Sequence, residues 1–556
     1  MKPTIVLWLS LMLLLAACGK SSGDSGNPAP VQRQVAVRSI TIDGRALEDN
    51  TFDVRLQPSI RIQFTEPIDK QSVAGAIVWS APAGGSAPVF TSSFQNNDSV
   101  LLITASSKLA FLTSYRFSLN NSIKSASGGR FISVINKTLL TSIDSSAKFP
   151  TLSDEALLTK VQQQTFRYFW DFGHPVSGMA RERNSSGDIV TTGGTGFGIM
   201  AMLAAVERGF INRQQGLDRI KTIVNFLETK AIRYHGAFAH WINGASGLTQ
   251  PFSQKDNGAD LVETSFLMMG LLSARSYFDA GTAAETDLRS AITDLYAAVE
   301  WDWFRRDNGD QLYWHWSPDY GWDMNLPIRG WNECLVTYVL AAGSPTHAIP
   351  KSVYDKGWAR EGAMKNGAAY YGISLPLGEP FGGPLFLSQY SFLGINPIGL
   401  KDAYADYELQ NKHHAQINYQ HSLENPKKYY GYSAQVWGLS ASDIPTGYSA
   451  SSPTNDLGVI APTAALSSFP YTPVESMQAL KFYYYTLGDK LFKDYGFIDA
   501  FALHQPWFAD SFLAIDQGPI IVMIENYRTG LLWNLFTSAP EVKAALTKLG
   551  FTAPYL

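Results

Sequence analysis

Residues 153–173 read SDEALLTKVQQQTFRYFWDFG. Ser153 followed by Asp154 and Glu155 is a helix start: a hydroxyl that accepts from unpaired backbone N–H groups, then acids that suit the positive end of the helix dipole. Apolar residues then recur at helical spacing through Leu157, Leu158, Val161, Phe166 and Phe169. Upstream the period is different. VAVRSITIDG (35–44), TFDVRLQ (51–57), SIRIQFT (59–65), SVLLITA (99–105) and SYRFSLN (114–120) alternate apolar and polar residues between Gly, Pro, Asn and Asp turns, the pattern of a β-sandwich over residues 34–145. Downstream the helical period persists, in GFGIMAMLAAVERG, LDRIKTIVNFLETKA, ADLVETSFLMMGLLSARSYF and NECLVTYVLAAG among others. About ten to twelve helices separated by long Gly/Pro/aromatic loops predict a mainly α fold, an (α/α) toroid of helical hairpins over residues 150–556. No fixed-period repeat is visible, which disfavours an open solenoid.

The chain has 556 residues, 45% of them hydrophobic, and a net charge of −4. That length suits two or three domains, and the absence of a basic stripe excludes nucleic acid as the expected partner. Aromatics make up 13%, with 14 Trp and 26 Tyr, a composition that suits stacking on sugar rings as well as packing a core.

The N-terminus, Met1-Lys2 followed by IVLWLSLMLLLAAC, is too short for a spanning helix and ends in small residues. LAAC (15–18) resembles a bacterial lipoprotein signal, implying acylation at Cys18, removal of the segment before it, and a lipid-anchored place in the cell envelope, in the periplasm or on the outer-membrane surface. SSGDSGNPAP follows within a flexible linker, residues 19–33. Cys334 is the one remaining cysteine, so the mature chain holds no internal disulfide and no cysteine-based metal site.

The stretch KDNGADLVETSF (255–266) puts Asp256, Asp260 and Glu263 at i, i+4 and i+7, one face if all three are helical. Two readings compete. Either Asp256 or Asn257 caps a buried helix and the acids merely suit its dipole, or the three border a pocket. Other chemistries fit poorly. TGGTGFG lacks a following Lys, His413 and His414 are adjacent instead of four apart, and no G-x-S-x-G elbow occurs. Neither a metal nor a cofactor is expected.

Several long stretches, in order, carry a resemblance: TFRYFWDF (165–172), TTGGTGFGIMA (191–201), DNGADLVETSFLMMGLL (256–272), YWHWSPDYGW (313–322), GWNECLVTYVLA (330–341), FGGPLFLSQYSF (381–392), WGLSASD (437–443) and IDQGPIIVMIENYRTGLLW (515–533). Residues from about 150 to the end resemble the bacterial glucoamylase-like family that includes endo-β-1,2-glucanases. The segment before them resembles bacterial Ig-like domains. The resemblance implies an (α/α)6 barrel with its pocket at one end, an inverting glycoside hydrolase acting on β-1,2-glucan, and Asp256, Asp260 and Glu263 among the pocket acids. Inversion needs a protonated acid and an ionised base about 6.5–9.5 Å apart. Glu333, beside Trp331 at a loop-to-helix junction, is the expected acid; Asp516, alone among apolar residues in AIDQGPI, is the expected base. One of the three acids of 256–263 is the substitute for either. Expected sugar platforms are Trp241, Trp314, Trp316, Trp322, Tyr390, Phe392 and Trp437. Arg528 either binds substrate or, as slightly favoured, pairs with Glu525. A monomer is expected. The rival readings are a non-catalytic glycan-binding lipoprotein and a polysaccharide lyase on a similar toroid. Endo or exo action is left open, because loop walls decide it.

Overall fold

The computed structural model describes residues 33–556; the segment expected to be a signal, Cys18 and nearly all of the expected 19–33 linker lie outside the described residues. The described chain divides into two compact units, one running to Ala110 and resuming over Tyr115–Thr141, the other made of Phe111–Ser114 and Ser142–Leu556.

The first unit is built of β-strands. A five-stranded sheet runs in the order Arg45–Ala46, Val37–Ile42, Ser59–Phe64, Val100–Ala105, Phe90–Gln95, and a four-stranded sheet in the order Asn50–Val54, Ile135–Thr141, Ser114–Leu119, Ile77–Ser80. Alternation sends Ile60, Ile62 and Phe64 inward, with Ile60 opposite Ile103 and Ile62 opposite Leu101. Trp79, Phe117 and Leu139 of the other sheet join the same core, Trp79 and Phe117 meeting edge to face at 5.8 Å. One pairing, Asn50–Val54 with Ile135–Thr141, is parallel.

The second unit is mainly helical. Helix α1 spans Asp154–Trp170, and Ser153 caps it as the sequence predicts, accepting from the Ala156 N–H at 3.3 Å. It is followed by α2 (Thr192–Glu207), α3 (Arg213–Thr229), α4 (Leu261–Tyr277), α5 (Ala283–Ala297) and α6 (Leu335–Gly343), with further long helices at Tyr407–Glu424 and Ala514–Thr529. Helices α2 and α4 are apolar on nearly every side and buried almost throughout, so they form the centre of the unit. They cross where two glycines meet. A Cβ on Gly196 would fall 2.1 Å from the Phe266 carbonyl oxygen, and one on Gly270 would fall 2.2 Å from that of Gly196. Only glycine permits backbones this close. Among the described residues, no helix is long and apolar enough to cross a membrane.

Two local expectations change. Helix α4 begins at Leu261, not near Asp256: the Asp260 side chain accepts from the N–H groups of Val262 and Glu263 and ends the helix there. Asp256 is therefore off the helix, and the three acids do not share a helical face. The loops are also less irregular than their composition implies, since short strand pairs tie them down. Ile189–Thr191 pairs with Trp241–Asn243, and Ala259–Asp260 pairs with His315–Trp316.

Candidate active site

The second unit contains a cavity of about 460 Å³, within the range of small-molecule sites. Trp241, Phe252, Trp314, Tyr390 and Tyr448 give it aromatic walls, and Glu182, Arg183, His240, Glu263 and Glu333 give it charge.

Of the acids of 256–263, Glu263 lines the cavity with His240, while Asp256, Asp260 and His315 are buried behind them. Strand register sets Asp260 opposite His315. His315 Nε2 lies 3.1 Å from Asp256 and 3.2 Å from Asp260, while His240 Nδ1 lies 3.0 Å from Asp260. The Trp314 indole N–H also donates to Asp260, at 3.3 Å. Burial opposes charge on both histidines, yet the surrounding carboxylates outweigh it. His240, facing Glu263, Asp260 and Asp256, is raised to about 9; His315, facing Asp260 and Asp256, is raised to about 10. Both are imidazolium at neutral pH. His240, His315, Asp256 and Asp260 present donor atoms within 4.8 Å of one another, a set that a divalent cation also accepts. As it stands, the carboxylates already have their counter-charges in the protein.

Glu263 projects from the first turn of α4 against the start of α2. Its Oε2 accepts from the Gly193 N–H at 2.7 Å and the Thr191 hydroxyl at 3.3 Å. A Cβ on Gly193 would sit 2.7 Å from that oxygen, so the glycine leaves room for the carboxylate. Burial raises the Glu263 pKa, aided by Asp260 and resisted by His240.

Glu333 sits two residues before α6 and faces the cavity. The Ser391 hydroxyl donates to its carbonyl and accepts from the Val336 N–H at 3.0 Å, which clamps the loop to the helix. Burial pushes the Glu333 carboxyl up to about 7, and the charges of Asp260 and Glu263 add to the effect. A carboxylic acid that keeps its proton near neutrality is what a general acid requires.

Asp516 lies in the first turn of Ala514–Thr529, one residue beyond Ile515 of the cavity wall. The sequence sets it alone among apolar residues; the fold brings two more acids to it. Asp499 takes the Asp443 N–H at 2.6 Å, and Asp443 takes Arg183 Nη1 at 3.2 Å and the Ser511 hydroxyl at 2.5 Å. Asp499 Oδ1 and Asp516 Oδ2 are buried with no donor of their own. A proton shared between the two carboxyls satisfies both. Burial raises both pKa values: Asp499 to about 7, and Asp516 well above its usual range with the added repulsion of Asp499.

Of the expected aromatic platforms, Trp241, Trp314 and Tyr390 line the cavity. Phe392 and Trp437 do not: both are fully buried core, and the Trp437 indole donates to the Glu475 carbonyl at 3.3 Å. Trp316 and Trp322 pack instead against Trp303, edge to face at 5.3 Å and tilted at 4.8 Å. Arg528 pairs with Glu155 at 2.8 Å and with the Gln162 amide oxygen at 2.7 Å, because Glu525 is taken by Arg208 at 2.7 Å. The expected Arg528–Glu525 pair is therefore replaced, and Arg528 is off the cavity wall. His240, His315, Glu182, Arg183, Asp443, Asp499 and Tyr448 went unnoticed in the sequence. Two of them lie inside stretches that carry the resemblance, His315 in YWHWSPDYGW and Asp443 in WGLSASD; the others have no local signal.

Comparison with known proteins places this arrangement. The Glycoamylase family model matches residues 325–540, and a bacterial Ig-like domain model matches residues 36–139. An exo β-1,2-glucooligosaccharide sophorohydrolase of Parabacteroides distasonis is 45% identical over 427 residues, which are 73% of this chain and 59% of the relative's length. The chain thus spans less than two thirds of that relative. The crystal structure of an endo-β-1,2-glucanase from Chitinophaga pinensis, in complex with sophorotriose and glucose, is 53% identical; the match covers 73% of this chain and 100% of that one, with a TM-score of 0.71. A β-1,2-glucanase structure from Parabacteroides distasonis is 36% identical over 95% of this chain and 74% of its own, with a TM-score of 0.70. On this similarity over the whole of a solved relative, the chain belongs to the bacterial glucoamylase-like family, joined to an Ig-like module.

Proposed function

We propose that the chain is a glycoside hydrolase that cleaves β-1,2-glucan with inversion, on an (α/α)6 toroid formed by residues 150–556. The observation that carries the reading is Glu333: a carboxyl on the cavity wall, pushed up to about 7 by burial and by Asp260 and Glu263. Its proton goes to the glycosidic oxygen as the bond from that oxygen to the anomeric carbon breaks. A water attacks that carbon from the opposite face, and its proton passes through a hydroxyl relay to the Asp499–Asp516 pair. The proton shared by Asp499 and Asp516 leaves one negative charge on the pair, and a carboxylate with raised proton affinity is the stronger base. Glu263 and His240 on the cavity wall hold sugar hydroxyls, and Asp256, Asp260 and His315 behind them orient His240 and set the field around Glu333. Trp241, Trp314 and Tyr390 stack on the sugar faces. The sugar specificity is that of the named relatives, two β-1,2-glucanases and a sophorohydrolase.

Incubation with linear β-1,2-glucan is expected to yield new reducing ends, with the α anomer first by proton NMR. No reducing ends would leave a glycan-binding lipoprotein, unsaturated products a lyase, and a β-anomeric first product a retaining enzyme.

We further propose that Cys18 is acylated and anchors the chain in the cell envelope, with residues 34–145 as a spacer. Cys18→Ser is expected to move the protein from the membrane pellet to the soluble fraction or to leave it unprocessed. Normal fractionation of the variant would remove the anchor.

A further inference from the structure

A second groove of about 640 Å³, more open than the cavity, is lined by Arg183, Asp443, Pro445, Tyr448, Trp507 and Asp510 among others. Arg183 and Tyr448 also line the cavity, so the two spaces meet across them. Two hairpins build the groove. Ala441–Ile444 pairs with Gly447–Ala450, setting Asp443 opposite Tyr448; Phe501–Ala502 pairs with Trp507–Phe508, setting Trp507 opposite Ala502. Trp507 packs against Val459, Ala500 and Ala502 and stays partly exposed. Tyr448 is 50% exposed and Asp510 is exposed. Large half-exposed rings are costly to leave in water unless something covers them. Here they stand between a guanidinium and two carboxylates. That pairing of flat apolar faces with hydrogen-bonding groups matches a pyranose, whose C–H face stacks while its hydroxyls reach sideways.

We propose that this groove is an outer subsite that holds further glucose units of the same β-1,2-glucan chain whose cleaved bond lies in the cavity; the inference rests on the function proposed above. Continuity through Arg183 and Tyr448 is what commits the groove to that occupant. The expected consequence is a preference for longer chains, set by Trp507.

The test compares kcat/KM on polymeric β-1,2-glucan with kcat/KM on the shortest oligosaccharide that the wild type cleaves. Trp507→Ala is expected to lower the value on polymer about tenfold, the scale of one lost aromatic contact. On the short substrate it should stay within about twofold, a change worth well under 1 kcal/mol. Because Trp507 also packs on the hairpin, Trp507→Phe and the exposed Asp510→Ala are measured alongside, with Tm for each. Both are expected to fold as wild type and to show a smaller loss, again confined to polymer. Equal losses on both substrates, or no loss on polymer in any variant, would overturn the subsite while leaving the hydrolase reading standing. A wild type that neither cuts nor binds β-1,2-glucan would overturn both.

Discussion

Two buried carboxylate clusters flank the cavity, and they solve the same electrostatic problem differently. Asp256, Asp260 and Glu263 are met by two imidazolium groups, His240 and His315. Asp443, Asp499 and Asp516 have one cation nearby, Arg183, which also serves Glu182. A buried carboxylate left unpaired costs several kcal/mol or takes up a proton. The first cluster is balanced by side-chain cations, and His315 and His240 hold the Asp260 carboxyl well below its usual range. The second is balanced by a proton, which is mobile. A general base needs the second kind of environment, and a rigid sugar-holding wall needs the first.

The largest effect expected from this division is on turnover. Glu333→Gln and Asp516→Asn each should lower kcat at least about a hundredfold, the scale of losing a positioned acid or base. Both keep side-chain shape, so Tm should hold. Asp256→Asn should act mainly through KM. If Asp256→Asn costs more turnover than Asp516→Asn, the roles of the two clusters are exchanged.

Next comes stability. His315→Ala strips a counter-charge from two buried carboxylates and should destabilise the helical unit by about 3–5 kcal/mol in urea unfolding at pH 7. Asp499→Asn removes one of three crowded acids, so it should leave stability unchanged or raise it. Equal losses in the two variants would break the contrast between the clusters.

The smallest and most diagnostic effect is the pH at which each cluster matters. His240 and His315 are raised to about 9 and about 10, so their stabilisation is fully present below about 6.5 and is lost as pH rises through those values. The Tm gap between wild type and His315→Ala should therefore shrink between pH 7 and pH 10. Asp499 is raised to about 7, so the folded state binds more protons than the unfolded one, and stability falls as pH rises from about 4 to 7. The Asp499→Asn difference should develop there instead. In activity, kcat/KM should decline as pH rises through about 7, where Glu333 loses its proton.

What was legible in the sequence tracks how local each signal is. The alternation of SIRIQF, the Ser153 cap and the largely apolar helices α2 and α4 are written in neighbouring residues, and the structure follows them. The candidate acids of 256–263 were visible too, but their grouping was attributed to a helix face. Asp260 ends the helix, and Gly258 lies so close to the neighbouring strand that a Cβ would meet the Trp316 carbonyl oxygen at 2.3 Å. The cluster is thus assembled by a two-residue strand pair that leaves almost no periodic trace. His315 enters through that pairing, 55 residues from Asp260 in sequence. Asp443, in a hairpin strand, and Asp499, in a loop, meet Asp516 at a helix start, and no spacing rule connects them. The aromatic misassignments have another cause. Trp437 and Phe392 carry the same composition signal as Trp241 and Trp314, and only burial separates core from wall.

The crossing of Gly196 and Gly270 reaches beyond packing. Thr191 and Gly193 lead into one of these helices and Asp260 and Glu263 into the other, so their contact sets the spacing of the cavity wall. With backbone against backbone, neither helix has a side chain whose rotation would let it slide. A wall without that freedom has little disorder to surrender when a sugar arrives. Its ordering entropy is spent during folding, before any ligand is met, and the sugar's own hydroxyls and ring pucker are left as the soft partner in the encounter.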